Sequence, residues 1–229
     1  MDMTRIVPVI AAIAAVAVGG YLYMGQGTGQ DKIGSTSVNP LVGAANAQEA
    51  SQVDTSSIIE MAIGSVDAPI TIYEYASYTC PHCAAFHEGT FKEIKKNYID
   101  TGKVRFVYRE VYFDRFGLWA SLVSRCAGPD KFFGITDLIY KGQSVWSRAA
   151  GPTEIVDELK KIGLLAGIEP DALEACMQDA DKAQALVAWY QQNSEADDIS
   201  STPSFIVNGK KVANQSYADF SAVLDAELN

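Results

Sequence analysis

Hydrophobic and polar positions are distributed unevenly along the chain. Residues 6–24 are almost continuously apolar after Arg5, and residues 25–57 are small and polar with no aromatic side chain. From Ile58 onward the apolar residues return in short runs. Residues 58–63 and 70–75 read as two strands separated by a Gly-Ser…Asp-Ala-Pro turn. The second run, ITIYEY, is β-branched or aromatic on both faces, the pattern of a central strand. A helix is expected after Cys80. Pro81 stands where its first residue would be, a position that tolerates the missing N–H, and Phe91, Ile94 and Tyr98 follow at i, i+3, i+7 spacing. Gly89 is a candidate kink within it. Residues 103–109 alternate and predict a third strand.

Helical spacing then takes over. Apolar positions recur at helical period in 116–126, 131–140, 153–165, 171–177 and 183–190, punctuated by Gly128-Pro129, Gly151-Pro152 and Glu169-Pro170. Strand character resumes at Ser204–Val207. Asn208-Gly209 is a two-residue hairpin signal before 210–213. Ser216 and Asp219 resemble a capping box ahead of Phe220, Val223, Leu224 and Leu228. The order is β, β, α, β, a helical block, a β-hairpin and a last helix. It predicts an α/β domain with one small mixed sheet, interrupted by an inserted all-helical domain. The expected segments are 58–113, 114–199 and 200–229. The outer two need each other to complete the sheet.

The apolar segment at 6–24 has the length that separates signal peptides from spanning helices. It reads as an uncleaved anchor or as a cleaved signal peptide. The one good small-x-small site, Ala45-Asn46-Ala47, lies well beyond the apolar run, which favours the anchor. Pro8 and the Gly19-Gly20 pair suit a buried core helix poorly. Both leading readings imply export to an oxidising compartment. Residues 25–57 read as a linker, with room for a short helix around 44–52.

The chain has 229 residues, enough for one domain with an insertion plus a leader. Its 28 acidic against 18 basic side chains give a net charge of −10, which argues against nucleic-acid binding. Four cysteines are far too few for a disulfide-dense scaffold. The two histidines, His82 and His87, lie within or just after the Cys80-Pro81-His82-Cys83 motif, so the candidate chemistry is local.

A C-x-x-C that follows a strand and opens a helix is a strong redox signal. The reactive species is a thiolate. Cys80 at the helix N-terminus would face unpaired N–H groups and the positive end of the helix dipole, both of which favour negative sulfur. His82 adds a donor or a positive charge beside it. Cys83, one turn later, is placed to resolve a mixed disulfide. A structural bridge or half of a zinc site are the blander alternatives. Zinc would need two more ligands, and although Cys83 and His87 share a face, His82 points elsewhere. His87 by itself reads as a partly exposed helix-surface residue. Glu74, in the middle of an otherwise apolar strand, is either an outward-facing edge residue or a buried acid that accepts the Cys83 proton. Pro203, after Thr202, is either an edge device or a cis-proline that presents the Thr202 backbone to an extended substrate. Cys126 and Cys176 both fall in the helical block, and in an oxidising compartment a second, structural disulfide is the default for them, with a second redox relay or two free buried thiols as the alternatives.

The stretch ITIYEYASYTCPHCAAFHE, followed much later by TPSFIVNGKK, resembles the DsbA-like thiol:disulfide oxidoreductases over residues 62–229. That resemblance implies a thioredoxin fold with an inserted helical domain. It implies Cys80 as nucleophile, Cys83 as resolving cysteine and His82 as a stabiliser of the Cys80 thiolate. It also implies Pro203 as a cis-proline and Glu74 as the buried acid. The pair Cys126/Cys176 resembles the extra pair of α-proteobacterial members. Together with the leader, this reads as a monomeric periplasmic dithiol oxidase without bound metal or cofactor, tethered to the inner membrane where the N-terminal segment is an uncleaved anchor. It would act on unfolded exported proteins with free thiols and be reoxidised by a membrane quinone-linked partner resembling DsbB. Thr202 departs from the pattern of the oxidases, where Val precedes the proline. It keeps a reductase, an isomerase or a dedicated thiol partner of one metalloprotein open as rivals. A metal-binding or chaperone-like module is the rival from another class.

Overall fold

The computed structural model describes residues 53–229. The expected leader, its cleavage site and the short helix around 44–52 lie outside the described residues. Among these residues no helix is long and apolar enough to cross a membrane.

Five strands form one sheet: β1 (Met61–Ile63), β2 (Ile70–Ala76), β3 (Val104–Glu110), β4 (Ser204–Val207) and β5 (Lys210–Val212), in the order β1-β3-β2-β4-β5. β2 and β3 are parallel, with Ile72 beside Phe106 and Glu74 beside Tyr108. The β1–β3, β2–β4 and β4–β5 pairs are antiparallel. β2 is thus central, which explains why its sequence is apolar or aromatic on both faces. The parallel step from β2 to β3 is made by α1 (Pro81–Glu88), α2 (Thr90–Ile94) and a π-helical turn, Lys95–Ile99. The hairpin between β4 and β5 turns at Asn208 and Gly209, both at positive φ, as a two-residue turn of the primed type requires.

Between β3 and β4 the chain runs through α3 (Arg115–Cys126), α4 (Pro129–Lys141), α5 (Gln143–Trp146), α6 (Pro152–Leu165), α7 (Pro170–Met177) and α8 (Ala180–Ala196). The hairpin is followed by α9 (Tyr217–Glu227), whose N-cap Ser216 accepts from the Asp219 N–H at 3.2 Å. This is the α/β sheet with an inserted helical block that the element order predicts. One face of the sheet packs Ile70, Ile72, Phe106 and Phe205 against Phe86 of α1 and Phe220 and Leu224 of α9. On the other face Tyr73, Tyr75 and Ile206 meet Tyr190 of α8 and Ile199. The insertion has its own core around Phe132, Ile139, Trp146, Leu159 and Leu173, continuous with Tyr78, Cys83 and Tyr108 under the candidate site. Cys126 and Cys176 are bridged, joining α3 to α7 across a sequence separation of 50.

Several boundaries differ from the sequence reading. β1 begins at Met61, not Ile58. Ile59 is 58 % exposed and its carbonyl accepts from Arg125, while Glu60 pairs with Arg109, so these residues are held by side chains rather than by the ladder. Residues 53–57, assigned to the linker, fold as turns: Ile58 N–H donates to Thr55 O, and the Thr55 hydroxyl donates to Gln192 on α8. The single helix expected after Cys80 is divided at Gly89, whose φ of −118° and ψ of −92° leave the helical region.

Candidate active site

The turn Ser77-Tyr78-Thr79-Cys80 carries the chain from the end of β2 into α1, closed by a Cys80 N–H to Ser77 O hydrogen bond of 3.1 Å. Cys80 is the N-cap of α1 in an extended conformation, and Pro81 is the first helical residue. The Cys80 sulfur therefore faces the unpaired N–H groups of the first turn. Cys80 is partly exposed and Cys83 is fully buried; both are free thiols.

The two thiols are driven apart. The Cys80 pKa is lowered to about 5, first by the hydrogen bond from the Cys83 thiol, against an opposing desolvation cost, and further by Thr202 and the backbone N–H groups of Cys83 and His82. Burial pushes the Cys83 thiol far up, with the Cys80 hydrogen bond and the negative charge of Glu74 adding to it. Cys80 is thus the thiolate, and Cys83 holds its proton.

The Thr202–Pro203 peptide is cis, and it lies against the reactive sulfur. The Cys80 thiol is 3.5 Å from the Thr202 carbonyl oxygen, to which it can donate. The Thr202 hydroxyl is buried without a partner of its own, so it is free to donate to the thiolate once Cys80 ionises. Pro203 is buried, at the entry to β4. His82 is exposed on the rim of an open groove of about 680 Å³, which Thr202, Pro203, Phe205, Lys211 and Asn214 also line. The backbone N–H of His82 is among the groups that favour the Cys80 thiolate.

Glu74 is fully buried at the centre of β2, so it is not an outward-facing edge residue. Its Oε2 is 2.7 Å from Nε2 of His87. The reading of His87 as a helix-surface residue is therefore corrected: it is 4 % exposed, inside the domain. The inward face of α1 is Cys83, Ala84, Phe86 and His87, and a histidine four residues after a buried cysteine shares that face. This spacing was the available signal.

The helical insertion supports the site through residues that carry no motif. The Gln143 amide, at the start of α5, donates to the carbonyls of Tyr78 (2.7 Å) and Cys80 (2.9 Å). Tyr140 of α4 donates to Ser77 O at 3.3 Å and shares a 2.6 Å hydrogen bond with the Tyr108 hydroxyl. Asp114 caps α3 through the Phe116 and Gly117 N–H groups and accepts from the Thr79 hydroxyl at 2.8 Å. A four-residue helix is too short to show periodicity, which is why α5 and Gln143 were not expected.

Comparison with known proteins gives this geometry a family. A thioredoxin family model matches residues 56–226. The chain belongs to the thioredoxin family. Among its relatives is a protein of Rickettsia bellii whose name gives protein-disulfide oxidoreductase as an inferred activity. It is 36 % identical over 170 residues, which cover 74 % of this chain and 64 % of the relative. The match thus spans less than two thirds of that relative's length. Disulfide bond formation protein D of Bacillus subtilis is 27 % identical over 168 residues, 70 % of this chain and 72 % of that protein. Among solved structures, alpha-DsbA1 of Wolbachia pipientis superposes with a TM-score of 0.68 at 26 % identity, covering 79 % of this chain and 95 % of that one. Within the thioredoxin family the chain is thus of the DsbA-like kind, with the helical insertion between β3 and β4.

Proposed function

We propose that this protein is an exported thiol:disulfide oxidoreductase that donates the Cys80–Cys83 disulfide to cysteines of folding proteins. The observation that carries the reading is the placement of the two thiols: Cys80, partly exposed, caps the N-terminus of α1, and Cys83 lies fully buried one turn on, with burial raising the Cys83 thiol and hydrogen bonding lowering that of Cys80. A substrate thiolate attacks Cys80 Sγ. A substrate–Cys80 disulfide forms, the Cys80–Cys83 bond breaks, and its electron pair leaves on Cys83, which takes up a proton. A second substrate thiolate attacks the substrate sulfur of the mixed disulfide, forms the substrate disulfide, and releases Cys80 as a stabilised thiolate. Stabilising that thiolate favours the reduced enzyme over its disulfide, and a pair so poised oxidises others.

Substrate cysteines would enter along the groove beside His82, Thr202 and Pro203, where the Thr202 carbonyl is available to an extended backbone. Glu74, buried beside Cys83, is the acid that exchanges its proton. The names of the relatives support the reaction class. The residues themselves support export: an apolar segment at 6–24 and a bridged Cys126–Cys176 pair suit a periplasmic protein held at the inner membrane. Reoxidation falls to a membrane quinone-linked partner resembling DsbB, and the protein acts as a monomer. A second reading, reductase or isomerase on the same fold, is favoured by one observation, the Thr202 hydroxyl beside the sulfur.

The test is a pair of variants assayed with a reduced, unfolded substrate. Cys80→Ser abolishes disulfide transfer, and Cys83→Ala accumulates mixed disulfides at Cys80. Undiminished oxidase activity in Cys80→Ser contradicts the mechanism.

A further inference from the structure

Cys83 must gain a proton when it leaves the disulfide and lose it when the disulfide reforms, yet it is shut off from water. Its surroundings show where that proton is kept. Glu74 and His87 are 0 % and 4 % exposed and lie 2.7 Å apart through Oε2 and Nε2. The second carboxylate oxygen, Glu74 Oε1, is buried with no hydrogen-bond partner. The His87 ring is stacked on Tyr140 at 4.5 Å and meets Tyr108, Phe91 and Phe86 with its edges or tilted faces. The titratable groups facing the pair are Cys83 on α1, Cys80 and Tyr78 on the site turn, Tyr108 on β3 and Tyr140 on α4. Burial holds all three tyrosines firmly neutral, so none of them accepts the proton.

We infer that Glu74 and His87 form one buried proton store for Cys83, with His87 as the positioning residue that lets Glu74 hand the proton over and take it back. This rests on the dithiol reading of Cys80 and Cys83. In the reduced protein Cys83 carries its proton, Glu74 is a carboxylate and His87 is neutral. When Cys83 attacks a Cys80 mixed disulfide, its S–H bond breaks and the proton passes to the Glu74–His87 pair. The sulfur's electron pair forms the bond to Cys80 Sγ, and the external sulfur leaves as a thiolate that is protonated by solvent. In the forward reaction the pair returns the proton to Cys83 as it leaves the disulfide. Once the disulfide has formed, Cys83 is neutral and the pair has gained the proton, so the one negative charge leaves with the external thiolate and the dry interior, where an uncompensated ion is costly, is left without net charge. His87 offers the proton a second basic atom, 2.7 Å from the Glu74 carboxylate and also buried.

The experiment follows the Cys83 step by itself. The protein is prepared with glutathione disulfide-bonded to Cys80, and release of glutathione is timed in single turnovers between pH 5 and 9. His87→Gln keeps a hydrogen-bond donor toward Glu74 but has no basic nitrogen, and His87→Phe removes both. Each is expected to slow release at pH 7 about tenfold or more, with the deficit shrinking toward pH 9 as hydroxide takes over. Glu74→Gln is expected to slow it similarly, and Glu74→Gln/His87→Gln to be no slower than Glu74→Gln. The Cys80 thiolate absorbance should titrate as in the unaltered protein, which a merely unfolded variant would not show. Release by His87→Gln at the unaltered rate and pH profile, or losses that multiply in the double variant, overturns the proposal and leaves Glu74 acting alone. Failure of glutathione to attach to Cys80 would instead defeat the dithiol reading. The unaltered chain supplies a second readout. With only two histidines, ring nitrogen shifts assigned with His82→Ala should show His87 protonated in the oxidised form and neutral in the reduced form at pH 7. Identical His87 shifts in both redox states overturn the proposal.

Discussion

The side-chain amide of Gln143 is bound to the carbonyl oxygen of Cys80, at 2.9 Å, and through its other hydrogen to that of Tyr78. The inserted domain therefore fixes the backbone of the turn on which the reactive sulfur rides. Gln143→Leu fills the space but removes both donors. The expected cost is about 1–3 kcal/mol, the range for leaving a buried polar group unpaired, read as a shift in the urea midpoint. The Cys80 thiolate titration should broaden or move up as the turn loosens. An unchanged midpoint and titration would show that the clamp has no role.

The pH dependence of stability follows from the two thiols. The folded Cys80 pKa is depressed to about 5 from an ordinary value near 9. Its contribution to the reduced protein is therefore fully present above the unfolded value and is lost as pH falls through about 5. The folded Cys83 pKa is raised, so its contribution is present below the unfolded value and fades only in alkali. Between pH 5 and 9 the Cys80 effect governs, and the reduced form should gain stability over the oxidised form as pH rises. Melting temperatures of both forms at pH 5 and pH 8 check this. A difference that does not change with pH contradicts the assignment.

The Glu110–Arg125 pair ties the end of β3 to α3 of the insertion. Arg125 Nε and Nη2 donate to the two carboxylate oxygens at 2.6 and 2.7 Å, and Nη1 donates to Ile59 O, with both ionic side chains 1 % exposed. Breaking one partner leaves a buried charge. Arg125→Met should cost about 3–5 kcal/mol by denaturant unfolding, while Glu110→Leu/Arg125→Met should recover much of that loss. A double variant as unstable as the single one would contradict the pairing.

The Cys126–Cys176 bridge closes a loop of 50 residues within the insertion. In the chain-entropy description such a loop contributes about 4 kcal/mol. Cys126→Ser/Cys176→Ser should lose up to that amount in urea while the Cys80 thiolate titrates unchanged. A large shift of the Cys80 titration would show that the bridge reaches the site.

Legibility in the sequence followed the strength of local pattern. ITIYEY marked β2 because a strand buried on both faces has no polar alternation to confuse it. Cys80-Pro81-His82-Cys83 marked the start of α1, since proline is welcome only there. Thr202-Pro203 was open between an edge device and a cis bond, and the bond is cis. Asn208-Gly209 marked its hairpin because few other pairs accept positive φ twice. The polar interior was less visible. Glu110 fell just beyond the strand expected at 103–109. Arg125 is buried only because Glu110 and Ile59 O surround it in space. His87 reads as a surface residue by its type, although its position four residues after Cys83 points inward. Gln143 sits in a helix of one turn, which no periodicity reveals.

The claim that the Cys80 thiolate is stabilised enough to make the pair an oxidant is tested most directly by its reduction potential. The pair should be equilibrated with graded glutathione redox buffers, with Cys126 and Cys176 followed separately by mass. The expected result is a potential well above the glutathione couple, with the reduced form dominant in buffers that leave ordinary disulfides intact. A value near that of thioredoxin, about −270 mV, would contradict it and place the protein among reductases, with Thr202 as the residue to alter next.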